Sequence, residues 1–178
     1  DLLNAAVQRL QASAAPGQVR IATDPGIAQL WLSPRLTALR TSSPDISVTI
    51  ATFDRPPDGA REGHDLYLFF QPLGARPGAW QLSRDMIAPV CAPARARHLR
   101  SAGDLRPEEC LTDAACPQAW QEWAWGAGLS DFIPRGPVLA SRALAVEEAV
   151  NGAGVLMGHL TLVARHLEDG RLVQPIGP

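Results

Sequence analysis

At 178 residues the chain is long enough to bury a core, as one domain or as two small lobes. Its 46% apolar and 19% charged residues are ordinary for a globular protein, and no apolar run approaches the length of a membrane span. Sixteen arginines, with no lysine, face eighteen acidic residues for a net charge of −2. That balance excludes a segment holding nucleic acid by its own field, because it leaves no basic stripe.

Leu3, Val7, Leu10 and Ala14 recur at the spacing of a coiled-coil seam, broadened by Leu2 and Ala6. Residues 1–15 therefore read as the end of a longer helix, or as one packed on a partner, since so short a helix is marginal alone. Asp1 opens an amphipathic segment, not the basic flank and apolar stretch of a secretion signal. Ala15-Pro16-Gly17 breaks this helix. Val19–Thr23 then alternates as a strand and leads into a helix over 26–41. Pro34 in the interior predicts a kink or restart, with Ser33 as cap and Pro34 at the first position. Apolar residues fall on two faces of that helix, Ile27, Leu30 and Trp31 on one, Leu32, Leu36 and Leu39 on the other. Such a helix is either sandwiched in the core or half of an interface, and we prefer the interface.

Ile46–Ile50 alternates as a second strand. Asp65–Phe70 is almost continuously apolar and is expected to be a strand buried on both faces. Residues 71–78 read as a loop, and Trp80–Leu82 and Met86–Cys91 as strands, the second closed by Pro93. Gly103–Arg106 is a helical turn stopping before Pro107. A helix begins at Pro117, carries Trp120, Trp123 and Ala124 on one side, and ends at Gly126–Gly128. Pro137–Leu139 is a short strand, and Ser141 caps a helix to about Asn151. Val155–Met157, a helix over Leu160–Leu167 and a last strand at Leu172-Val173 complete the chain. Alternating strands and helices define an α/β fold with mostly parallel pairing.

Few motifs carry chemistry. Gly152-Ala153-Gly154-Val155-Leu156-Met157-Gly158 superficially matches a dinucleotide fingerprint, but it follows a helix and precedes a strand. That is the reverse of the order that aims helix amides at a pyrophosphate, so we read a helix C-cap and a tight entry into a buried strand. No nucleophile elbow and no acid–base carboxylate pair are present, and no catalytic residues are assigned. Cys91, Cys110 and Cys116 lack metal-ligand spacing and read as reduced thiols, with a Cys110–Cys116 disulfide left open. The four histidines are scattered, so neither a metal site nor a cofactor is expected. Trp120 and Trp123 read as packing a helix onto its sheet.

Five stretches in register carry a family resemblance: VRIATDPGIAQLWLSPRLTALRTSSPDISVTI (19–50), REGHDLYLFF (61–70), MIAPVCAP (86–93), WQEWAWGAGL (120–129) and VEEAVNGAGVLMG…LEDGRLVQP (146–175). Together they resemble the effector-binding domain of LysR-type transcriptional regulators. The branch most similar is the one containing the glycine-cleavage activator and the β-lactamase regulator. The resemblance implies a type II periplasmic-binding-protein fold of two α/β lobes with a cleft and a two-crossover hinge. Residues 1–17 would end the linker helix, 18–85 with 158–178 form lobe I, and 86–157 form lobe II. A winged helix-turn-helix that binds DNA would lie outside this chain, and relatives continue past Pro178 with another strand. The implied protein is a non-enzymatic bacterial regulator in the cytoplasm, a homodimer or homotetramer without membrane contact. The alternatives are a periplasmic solute-binding protein of a transporter and, more remotely, a prephenate-dehydratase-like enzyme.

By the same resemblance a small effector would sit in the cleft, where strand C-terminal ends and helix N-termini converge. On this chain those positions are Asp24, Gly26, Ile27, Phe69, Gln71, Thr112, Ser141, Arg142 and His159. Leu32, Leu36 and Leu39 would face a dimer partner. Gly26 stands where relatives have a hydroxyl residue, and Leu139-Ala140-Ser141-Arg142 stands in place of a Phe-Asp-Asp-Ser-like run. Asp24 either accepts from an effector or caps its helix. Arg142 either pairs with an effector carboxylate or phosphate or lies on the surface.

Overall fold

A computed structural model describes residues 17–57, 63–72 and 79–177. The expected helix over 1–15 lies outside these residues. The chain divides into two compact units, Asp1–Ser83 and Arg84–Pro178.

In the first unit, β1 (Gln18–Thr23) is the centre of a parallel sheet, with β2 (Ser47–Thr52) on one side and β3 (Leu66–Leu68) on the other. Val19 and Ile21 point into the core while Gln18 and Arg20 are exposed, the alternation of a half-buried strand. The register runs Gln18↔Ser47 to Thr23↔Thr52, and Ile21↔Leu66 to Thr23↔Leu68. The buried Thr23 hydroxyl donates to the Leu68 carbonyl at 2.7 Å. β3 is shorter than expected, and it is half-buried rather than enclosed, because it forms the edge of the sheet among the described residues.

Between β1 and β2 the chain makes a π-helical turn, Ile27–Leu32, that runs into α1 (Ser33–Ser42). The restart expected at Pro34 takes this form, without a cap from Ser33. The Ser33 amide instead reaches back five residues to the Ala28 carbonyl. The wider turn accommodates a proline that has no N–H to give and whose ring crowds the turn before it. It also changes the helical phase. Positions five apart now share a face, so Ile27, Trp31, Leu32 and Leu39 merge into one buried stripe. The two-faced reading is thereby corrected: Leu32 and Leu39 are 0% and 2% exposed within the chain itself. They belong to the unit's core, and Leu36 is half-buried.

The second unit is a four-stranded mixed sheet in the order β4 (Ile87–Val90), β7 (Val155–His159), β5 (Cys110–Asp113) and β6 (Val138–Leu139). β5 is parallel to β6 and β7, while β4 is antiparallel to β7. Pro89 is tolerated because β4 is an edge. The connections are α2 (Pro93–Ala96), 3-10 turns at Ala102–Asp104 and Pro107–Glu109, α3 (Ala119–Gly126), α4 (Arg142–Val150) and α5 (Leu160–Glu168). Trp120, 1% exposed, pins α3 to the sheet, with its indole N–H donating to the Leu111 carbonyl at 2.8 Å. Trp123 meets it edge-on.

The glycine run behaves as a helix end and a strand entry. Gly152 takes φ +83° after α4, and Gly154 lies so close to β5 that a Cβ would stand 2.4 Å from the Glu109 carbonyl. Trp80–Leu82, expected as a strand, is irregular, with Trp80 56% exposed. Leu172-Val173 contributes one bridge, Cys91↔Val173. Residues 158–178, which the resemblance assigns to lobe I, pack in the second unit. Gly158 and His159 pair with Ala88 and Ile87, and Val173 pairs with Cys91.

Candidate functional site

In each sheet the parallel strands end at an edge where strand carboxy-termini meet the start of the next helix, the usual place for ligands in α/β folds. In the first unit this edge holds Thr23, Asp24, Gly26 and Ile27. The Asp24 carboxylate accepts from the Ile27 amide at 3.0 Å, and its carbonyl accepts from Ala28 at 2.9 Å. Asp24 is thus a helix cap, one of its two expected roles, and it already satisfies the amide that Ile27 was expected to present. Gly26 and the Ile27 side chain are buried, Phe69 is half-buried and Gln71 is exposed just beyond β3.

The second unit concentrates its charge at the same kind of edge. Thr112 and Asp113 end β5 at 7% and 6% exposure. Ser141 stands at the N-cap of α4 without a side-chain capping bond, exposed to solvent. From the first residue of α4, Arg142 sends its Nε to Asp113 Oδ2 at 2.7 Å, with both side chains at least nine-tenths buried. Arg142 is therefore not a surface residue. The other Asp113 oxygen accepts from the Ala115 amide at 2.9 Å.

Beside this pair, His159 closes β7. Its Nδ1 meets Asp85 Oδ2 at 2.5 Å, and Asp85 Oδ1 accepts from the Thr161 amide at the start of α5. Burial works against the imidazolium, but its hydrogen bonds to Asp85 and Cys116 outweigh burial and Arg142's opposing charge, so the His159 pKa is raised. Burial likewise opposes the Asp85 carboxylate. Its bonds to His159 and Thr161 prevail, holding it below the usual carboxylate range. Val146, Leu156, Met157, Leu162 and Val163 floor a recess between Asp113, Arg142 and His159 that has room for about one water molecule.

Arg142 and His159 line one recess with Asp113, while Thr112 precedes Asp113 on β5 and Ser141 precedes Arg142. The expected residues of the first unit, Asp24, Gly26 and Ile27, lie at the strand edge of that unit. Sequence reasoning missed Asp85 as a partner of His159, Asp113 as a partner of Arg142, and Cys116 as a neighbour of the imidazole. Among the described residues no three His, Cys, Asp or Glu side chains converge in a metal-holding group. No helix among them is long and apolar enough to cross a membrane.

Two α/β units with charged strand edges define a type II periplasmic-binding-protein-like fold, and solved structures agree. The effector domain of the transcriptional regulator AmpR of Pseudomonas aeruginosa superposes with a TM-score of 0.69 at 26% identity, covering 89% of this chain and 78% of that one. Residues 12–178 match the LysR substrate binding domain. The chain belongs to that family. It is 30% identical over 179 residues to the glycine cleavage system transcriptional activator of Escherichia coli K12, covering 97% of this chain and 58% of the relative. It is 31% identical over 160 residues to the transcriptional activator AmpR of Rhodobacter capsulatus, covering 89% and 55%. The chain therefore spans under three fifths of the length of these relatives.

Proposed function

We propose that this chain is the effector-sensing part of a LysR-type transcriptional regulator, coupling a small molecule to DNA binding by another part of the protein. The reading rests on the family match together with one observation, the buried Arg142–Asp113 pair at the carboxy-terminal edge of β5. A guanidinium held at that place suits a carboxylate or phosphate on the effector, because its planar fork binds such groups in two directions. Gly26, lacking a hydroxyl, contributes no side-chain contact. The relatives are transcriptional activators, which favours a cytoplasmic, non-enzymatic sensor over a transporter's solute-binding protein. The regulator works as a homodimer or homotetramer, through a surface other than Leu32 and Leu39.

An effector can shift the protein only through unequal affinity for two states; a tenfold preference is worth about 1.4 kcal/mol. The test is a thermal-shift screen of the full-length regulator over amino acids, aromatic acids and cell-wall fragments. At a concentration near 100 times Kd a true effector stabilises by about 2.7 kcal/mol. Loss of a confirmed hit in Arg142→Ala assigns it to the edge of the second unit, and loss in Asp24→Ala assigns it to the first. Retention in both variants overturns these residues as the site.

A further inference from the structure

Positive charge on the second unit is compensated unevenly. Arg95, Arg135, Arg142, Arg165 and Arg171 each meet a carboxylate, at 2.7–3.8 Å. Among the described residues, Arg97, Arg100 and Arg106 meet none within ion-pair distance. All three are exposed, with the exposed His98 among them, and all lie in the segment 97–106.

The fold turns these side chains outward. The segment follows α2 and crosses to β5, and it is anchored by Leu99 and Leu105, 4% and 7% exposed, which sink into the unit's core. Asp104 is the only acid in the segment, and its carboxylate serves the local turn. It accepts from the Arg100 and Ser101 amides at 3.0 and 2.8 Å and from the Ser101 hydroxyl at 3.0 Å, which makes a capping box for the 3-10 turn. Three guanidiniums thus share a single acid that faces the backbone. Arg135 extends the patch. Its amide donates to the Pro107 carbonyl at 2.8 Å, one residue past Arg106, and its side chain, 71% exposed, has Glu108 at 3.8 Å.

We propose that Arg97, Arg100 and Arg106, flanked by Arg135, form a docking surface for a short acidic segment of a partner protein. Each guanidinium presents a planar fork that matches a carboxylate, and a few carboxylates in a row are enough to engage the patch. Nucleic acid fits it less well. A duplex is held by neutralising many phosphates along its length, whereas this patch is compact and the chain carries a net charge of −2. The surface leads into the amino-terminal end of β5, the opposite end from Asp113, so it stands whether or not the effector reading holds.

The experiment titrates the full-length protein into a fluorescein-labelled hexaglutamate peptide at low ionic strength, read by anisotropy, with a duplex DNA measured in parallel. The wild type should bind the peptide. Replacing Arg97, Arg100 and Arg106 together by Gln should weaken that binding by about tenfold, because each exposed pair contributes little alone, and should leave duplex binding unchanged. Arg40→Gln, an exposed arginine of the first unit, should leave peptide binding unchanged. Salt at about 0.3 M should erase most of the difference between wild type and triple variant. Bound peptide should also slow amide exchange over 97–106 in the wild type. A wild type that does not bind the peptide, a triple variant that binds it equally well, or an equal loss of peptide and duplex overturns the proposal. A triple variant of smaller mass in sedimentation assigns the surface to a second copy and overturns it too. Unchanged exchange over 97–106 in the wild-type complex overturns it whether or not the variants fold.

Discussion

Removing either member of the Arg142–Asp113 pair should destabilise the second unit by several kcal/mol. The side chains are 9% and 6% exposed and lie 2.7 Å apart, so solvent and salt screen them little. Asp113→Ala removes the carboxylate that Arg142 Nε bonds and also strips the Ala115 amide of its acceptor. Breaking a buried pair from one side costs about 3–5 kcal/mol, with about 1 kcal/mol more for the amide. Arg142→Ala belongs at the lower end, about 3 kcal/mol, because the stranded carboxylate keeps its bond to Ala115. The double variant removes both members of the pair and should cost less than the sum of the singles by about 2 kcal/mol or more. For a unit of this size, 3 kcal/mol corresponds to at least about 12 °C in melting temperature. Because the chain has two compact units, the measurement should be local: hydrogen exchange of the β5 and β7 amides, with urea unfolding of the whole chain beside it. Single-variant costs below about 1 kcal/mol that simply add in the double variant would refute the pair as a buried, coupled element.

The Asp85–His159 pair predicts a pH window. His159 is raised above its ordinary 6.5, so its contribution is complete below that value and is lost as pH rises through the folded pKa. Asp85 is lowered beneath 3.8, so its contribution is complete above that value and is lost as pH falls through the folded pKa. The pair is therefore strongest between these two ordinary values. The urea midpoint should fall as pH rises from 6.5 through the raised His159 pKa, and Asp85→Asn should flatten that fall. Gly154→Ala should destabilise by about 3 kcal/mol, because its Cβ would stand 2.4 Å from backbone oxygen and 2.8 Å from Leu111 Cγ. Gly126→Ala at the end of α3 meets nothing within 4 Å and should raise the melting temperature, by up to about 1 kcal/mol of stability. Leu32→Ala should cost about 2–5 kcal/mol without changing the mass in sedimentation, and a stable monomer would restore the interface reading.

The elements legible in the sequence are those whose pattern is local. The alternation of Val19–Thr23, the glycines closing α3 and α4, and the amphipathic run of α5 all appear where periodicity and breakers place them. What failed did so through tertiary context. Trp80–Leu82 has strand composition, yet composition does not supply a neighbouring strand, and the segment stays irregular. Asp65–Phe70 reads as an enclosed strand because its residues are apolar, but sheet order left it at an edge, half-buried. The helix after β1 is the instructive case. A 3.6-residue period divides its leucines between two faces, and one wider turn ahead of Pro34 returns them to one. That change of phase takes Leu32 and Leu39 into the core and leaves Leu36 half-buried.

Site chemistry was legible only as far as each residue could be read alone. Arg142 and His159 were selected by their positions after strands, and both do stand at the edge of the second unit. Their partners lie 29 and 74 positions away in sequence, at Asp113 and Asp85, and no spacing rule connects them. Asp113 ends a strand, Cys110–Asp113, that is too short and too mixed to stand out by its period. Sheet order makes the connection. With β5 between β6 and β7, the residues following β6 and β7 necessarily converge on the end of β5 from both sides. A charge at any of the three positions must then find a counter-charge at another or be expelled, because burial leaves it no water. The parallel alternation that the sequence does reveal therefore confines the search for the missing partners to the few residues just past each strand.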